Sequence, residues 1–164
     1  MSIVLDRPTA PTAAEVADIV AAKPAGNRLV ALLGTLVLVA GVVLGLSGVG
    51  TWAMVQTSLA DENISVSEDA ARFAGEPVDG PLTAYFEADI IEKHALAASE
   101  GKTYAELDKA DPVRATVMNG SFLRASLFTS VVSFGVAALA MGLGVLFAVV
   151  GIALRKIGKT LPAA

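Results

Sequence analysis

The chain has 164 residues, 54% hydrophobic and 17% charged, with a formal net charge of −4 and a mean hydropathy of +0.65. Soluble domains carry about 25% charged residues, so this composition points to lipid and away from a polar globular enzyme. With no cysteine and one histidine, the chain excludes disulfides, thiolate metal sites, a lipoprotein anchor and cysteine nucleophiles.

Residues 1–28 read as a cytoplasmic tail punctuated by Pro8, Pro11 and Pro24. Within it Thr12-Ala13-Ala14-Glu15 has the form of a capping box opening a short helix to about Ala22. Val16, Ile19 and Val20 would share the apolar face of that helix.

No charge occurs between Arg28 and Asp61. The apolar stretch from Leu29 to about Val55 is 27 residues long, roughly 40 Å as a helix, and a hydrocarbon core of about 30 Å needs only about 20 residues. Residues 29–60 therefore form the first transmembrane helix. Ser58-Leu59-Ala60 resembles a signal cleavage site, but the apolar stretch exceeds a signal peptide's core and follows a long polar-to-mixed segment, so it is read as an anchor. Trp52 falls near its outer end, where an interfacial aromatic is expected.

Residues 61–111 are patterned as a helical extracytoplasmic loop. Ser67, Glu68 and Asp69 look like the cap and acidic first turn of a short helix through Ala70–Ala74, closed by Gly75. Glu76–Pro81 is a turn segment. A longer helix is expected from Thr83 to about Ser99, closed by Gly101, with Asp89 and Lys93 paired at i, i+4. Thr103-Tyr104-Ala105-Glu106 is a further capping box with a brief helix behind it.

Asp111 and Pro112 read as an N-cap followed by proline at the first helical position, predicting one long helix over 112–157. It contains the second span, 125–154, which is uncharged between Arg124 and Arg155. The remaining residues, 158–164, form a short basic tail. The predicted fold is therefore an all-α membrane protein: a two-helix transmembrane hairpin with a helical loop, the second helix extended above the membrane.

Charge sets the expected orientation. Arg155, Lys156 and Lys159 follow the second span, and Lys23 and Arg28 precede the first. The 61–124 segment carries 13 acids and 6 bases, a net of −7. Both termini are expected in the cytoplasm of a cell whose plasma (inner) membrane the chain crosses, with the loop outside. Arg28, Trp52, Arg124, Arg155 and Lys156 are the expected membrane-interface anchors.

Little in this pattern suggests reactivity. Glu87 with Asp89, and Glu106 with Asp108, are spaced i, i+2 and point to different sides of a helix, so these carboxylates read as solvated surface. His94 lies near the apolar face that holds Ile90 and Ile91, as a packed residue or a pH-responsive contact. The spans contain no ionisable residue, which argues against a pump or an ion pathway acting alone. An acidic loop disfavours nucleic acid. Asn63-Ile64-Ser65 and Asn119-Gly120-Ser121 match the glycosylation pattern, which reads as chance, with Asn119 nearly at the membrane.

The spans do carry small residues in rows. Gly34, Gly41, Gly45 and Gly48 share one face of the first helix, and Ala137, Ala140, Gly144, Ala148 and Gly151 form a stripe on the second. Ser126, Ser130 and Ser133 precede that stripe. Such faces let helices approach closely in lipid, either against each other or against partner helices.

The segments Asn27–Trp52, Val78–Tyr85, Lys102–Asp108 and Phe122–Phe128 resemble a family of small two-span actinobacterial membrane proteins. Some of these carry the label of an aromatic ring-opening dioxygenase, which requires several histidine and carboxylate ligands to iron and does not fit a chain with one histidine. The resemblance covers about residues 27–157. It implies a non-catalytic accessory or assembly subunit of the respiratory cytochrome bcc–aa3 supercomplex. Its partners would be cytochrome bcc and aa3 oxidase subunits and membrane lipids, and this chain would hold no cofactor of its own. The alternative reading from the residues is a membrane-anchored extracytoplasmic binding or sensing module.

Overall fold

In the computed structural model, which describes residues 12–14 and 26–160, three helices follow one another: α1, Arg28–Asp61; α2, Pro81–Ala98; and α3, Arg114–Thr160. Among the described residues there is no strand, only an isolated antiparallel bridge between Ser65 and Pro77. The tail helix expected to run to about Ala22, with its Val16, Ile19 and Val20 face, lies outside the described residues except for its first three positions. Residues 161–164 lie outside them too.

α1 begins where Asn27 caps it, the Val30 amide donating to Asn27 Oδ1 at 3.3 Å. It ends at Asp61; two residues on, Asn63 takes the left-handed conformation (φ 51°) and its side-chain amide donates to the Asp61 carbonyl at 2.9 Å. This is the C-terminal role asparagine fills when glycine is not used. α1 and α3 are each long and apolar enough to cross a membrane. In their most apolar stretches only 11% and 17% of residues are buried, so neither is the buried core helix of a soluble domain.

Two compact units divide the chain: Met1–Leu38 with Val149–Ala164, and Val39–Ala148. In the first, α1 and α3 approach until backbone meets backbone. A Cβ on Gly151 would lie 2.5 Å from the Leu38 nitrogen, and one on Gly158 would lie 2.6 Å from the Ala31 nitrogen. Gly158 is thus consumed by this contact and does not end the helix, which runs on to Thr160, past the expected limit near Ile157. Lys159 in the last turn suits the negative end of the helix dipole.

The second unit holds its own core. Val66, Val78, Ala84 and Ala88 from the 61–111 segment bury together with Leu59 of α1 and Leu127 and Phe134 of α3. The 61–111 segment is therefore seated on the two long helices and is no free tether. Trp52 packs edge-on against Phe134, with ring centroids 4.7 Å apart. Fully burying a valine contributes about 1.5–3 kcal/mol, so Val66 and Val78, each 1% exposed, are principal fasteners of this cap.

Three local expectations are corrected. No helix forms over Ala70–Ala74; the segment turns, with Phe73 and Gly75 both at positive φ (62° and 74°). Two paired stretches replace it, the Val66 amide donating to the Glu76 carbonyl at 2.8 Å and the Val78 amide to the Ile64 carbonyl at 2.8 Å. Behind Thr103 there is also no helix, although its amide donates to Glu106 Oε2 at 2.8 Å as a capping box requires. The helix expected from Thr83 starts at Pro81 instead, with Gly80 as N-cap and Thr83 as the third residue, whose hydroxyl oxygen accepts from the Gly80 amide at 3.1 Å. Its C-terminal signal acts as read: Gly101, at φ 84°, donates its amide to the Leu96 carbonyl at 2.7 Å.

Candidate functional site

The small-residue rows lie against each other. A Cβ on Gly34 would sit 2.9 Å from the Gly151 carbonyl oxygen, one on Gly41 2.7 Å from the Ala148 nitrogen, and one on Gly48 2.7 Å from the Ala137 carbonyl oxygen. Gly144 is the tightest position within the second unit, where a Cβ would meet the Gly45 nitrogen at 2.6 Å and the Gly41 carbonyl oxygen at 2.7 Å. Gly45 is looser, its nearest neighbour being 3.9 Å away. Ala140 is half-buried. With these faces spent on each other, the surface left for anything else is mostly larger side chains and hydroxyls, with Gly50, Gly135 and Gly142 open on it.

One such surface is a groove of about 280 Å³ between α1 and α3. Ser58 and Glu62 line it from α1, and Ser126, Thr129, Ser130 and Ser133 line it from α3. The i, i+3, i+4, i+7 spacing places the four α3 residues on one helix face. Thr129 and Ser133 donate their hydroxyls to the carbonyls four residues back, both at 2.8 Å. Their donors are spent on their own helix while the hydroxyl oxygens keep acceptor capacity. Together with the Glu62 carboxylate, the groove offers hydrogen-bond acceptors in an otherwise apolar surface.

The cap is held by three polar ties. Glu87 is 6% exposed, and its Oε2 accepts the Ser67 amide at 2.7 Å. The Ser67 hydroxyl lies 3.1 Å and 3.2 Å from its two oxygens and donates as well. Arg124 pairs with Glu92 at 2.8 Å and lies over the Phe128 ring at 5.2 Å. Arg114 stacks on Tyr104 at 3.9 Å and donates to the Tyr104 and Leu107 carbonyls, tying the 99–113 segment to the start of α3.

On the surface, His94 Nε2 lies 2.7 Å from Asp69 Oδ2, and that hydrogen bond holds the Asp69 carboxyl below its ordinary value. Lys93 is raised by its hydrogen bond to Asp89, the i, i+4 pair read from the spacing, closed at 2.6 Å. Glu106 is lowered by the Thr103 amide and hydroxyl.

A second cavity, about 290 Å³, lies under the cap, lined by Glu92, Thr103, Tyr104, Ser121 and Arg124 among others. Arg124 Nε is buried there with no hydrogen-bond partner. Among the described residues no group of three or more histidine, aspartate or glutamate side chains is placed to hold a metal ion.

Of the expected anchors, Arg28, Arg155 and Lys156 are exposed, and Trp52 is half-buried on Phe134. Arg124 is engaged with Glu92. Glu87, expected on the solvated surface, is instead buried. The signal for it was present, because its i−3 and i+3 neighbours are Ala84 and Ile90, both buried apolar residues. The Ser67–Glu87 tie joins positions 20 apart, a pairing that local spacing does not reveal.

No protein-family model, curated protein or solved structure matches the chain.

Proposed function

We propose that the chain spans the plasma (inner) membrane twice, both termini cytoplasmic, as a non-catalytic accessory or assembly subunit of a larger membrane complex. The hydroxyl-lined groove is the observation that carries this reading. Acceptors facing lipid are costly in hydrocarbon unless another helix supplies donors, and the small-residue rows are already occupied by each other. The fitting partner is a transmembrane helix bearing N–H or O–H donors, with a cation near its outer end opposite Glu62. The uncharged runs, the basic flanks and the acidic 61–124 segment support the orientation. The sequence resemblance narrows the complex to the actinobacterial cytochrome bcc–aa3 supercomplex, with a role similar to that of the prokaryotic respiratory supercomplex association factor 1.

The test is photo-crosslinking in native membranes from residue 130, in the groove, and from residue 145 on the exposed outer face of α3. One discrete protein adduct from 130, and none from 145, supports the proposal. Lipid adducts alone from both positions would sink it.

The cavity beneath the cap favours a second reading, a membrane-anchored binding module using Arg124. That reading requires a ligand-dependent rise in the thermal stability of the detergent-solubilised chain which Arg124→Met abolishes.

A further inference from the structure

Another groove flanks the glycine row of α1, on the side away from Ser58 and Glu62, and its hydrogen-bonding character is the reverse of the hydroxyl groove's. Val49, Trp52, Ala53 and Gln56 line it from α1 and Met141 lines it from α3. The α1 residues, at i, i+3, i+4 and i+7, share one helix face. Its volume is about 290 Å³, roughly twice that of a cavity which takes one benzene. Trp52 is fixed by its edge-on contact with Phe134 at 4.7 Å, while Val49 and Gln56 are exposed and Met141 is half-buried. The Trp52 indole N–H can only donate, and the Gln56 side-chain amide carries two N–H donors. Among the described residues neither side chain makes a hydrogen bond.

Depth decides what can meet these donors. With the uncharged run 29–60 centred in the bilayer, Gln56 lies about 17 Å from the midplane and Trp52 about 11 Å, at about 1.5 Å of rise per residue. The hydrocarbon core extends about 15 Å to each side. Gln56 therefore falls where the glycerol esters of a phospholipid lie, and Trp52 just beneath, where an aromatic ring with one polar edge is favoured. That ester region holds carbonyl acceptors and no donor. It satisfies N–H groups but not the acceptor-rich hydroxyl groove, so the two grooves require different neighbours. At the same level water reaches the Gln56 amide oxygen.

We propose that this groove seats a diacyl phospholipid. Its ester carbonyls accept from Trp52 Nε1 and from the Gln56 side-chain amide, and one acyl chain runs down past Val49 towards Met141. The seat rests on the two-span reading. Recognition is of the ester and the chain, so it does not depend on headgroup charge.

Trp52 is the single tryptophan of the chain and reports on its own neighbours. The full chain is reconstituted into bilayers of equal parts diacyl phosphatidylcholine and its dialkyl ether counterpart, which lacks the ester carbonyls. Bromine is carried high on the chains of one lipid at a time. Trp52 fluorescence is expected to be quenched more when the diacyl lipid is brominated than when the dialkyl lipid is. The difference should correspond to about a three-fold preference, the scale of one net hydrogen bond, and Gln56→Leu should bring it towards parity.

Equal quenching by the two lipids in the native chain overturns the seat and leaves the spanning reading intact. Absence of quenching by either lipid would remove both. An undiminished preference in Gln56→Leu would overturn the assignment of the Gln56 donor. The comparison in the native chain needs no substitution, so it decides the proposal even if the variant does not fold.

Discussion

Glu87 shows how far one buried carboxylate can organise a loop. It takes both donors of Ser67 and so fixes the turn at 67–75 to α2, in a place where an unpaired charge would be expensive. Removing it in Glu87→Ala leaves the Ser67 amide without its partner and should cost about 1–3 kcal/mol of cap stability, with Glu87→Gln costing less. Amide exchange at Ser67 measures this directly, and unchanged protection in Glu87→Ala would contradict the assignment.

Acid acts on the exposed carboxylates. Asp69 and Glu106 sit lower folded than unfolded. Their contribution is therefore complete above their unfolded values and is lost as pH falls through the folded ones, below about pH 4. Lys93 has the opposite sign: its raised value contributes below its unfolded value and is lost as pH rises through the folded one. Both effects are small on solvated groups. The Thr103 amide resonance should titrate with a midpoint below that of a free glutamate, and a midpoint at or above it would refute the Glu106 hydrogen bond.

Among the elements, the close approach of α1 and α3 is most sensitive at Gly144, whose added Cβ would strike the backbone of Gly45 and Gly41, whereas Gly142 has nothing within 4 Å. Gly144→Val should destabilise the pair by about 1–3 kcal/mol, the usual scale of overpacking, and Gly142→Val should not. Thermal unfolding of the two variants in detergent separates them, and equal midpoints would mean the helices do not pack through this face.

Much of this was legible in sequence because lipid-crossing helices announce themselves by uncharged length, and small-residue rows by spacing. The loop was harder. The expected helix at Ala70–Ala74 is a five-residue segment, too short to repay helix nucleation, and Phe73 at positive φ breaks it outright. At Thr103 the cap hydrogen bonds form without the helix. Pro112 lies a few residues on and biases Asp111 away from helical geometry. Arg124 reads as an interface anchor from its position. Its pairing with Glu92 depends on α2 folding back over α3, which no local pattern encodes.

For the whole molecule, two long apolar helices pack through small-residue faces and carry the acidic 61–111 segment, and we propose that the hydroxyl groove meets a partner helix in the membrane. The most direct test is a mild-detergent pull-down of the natively expressed, tagged protein, read by mass spectrometry and a reduced-minus-oxidised haem spectrum. The account predicts stoichiometric oxidase and cytochrome subunits with a-, b- and c-type haem. A homogeneous preparation with no haem and no stoichiometric partner would contradict it.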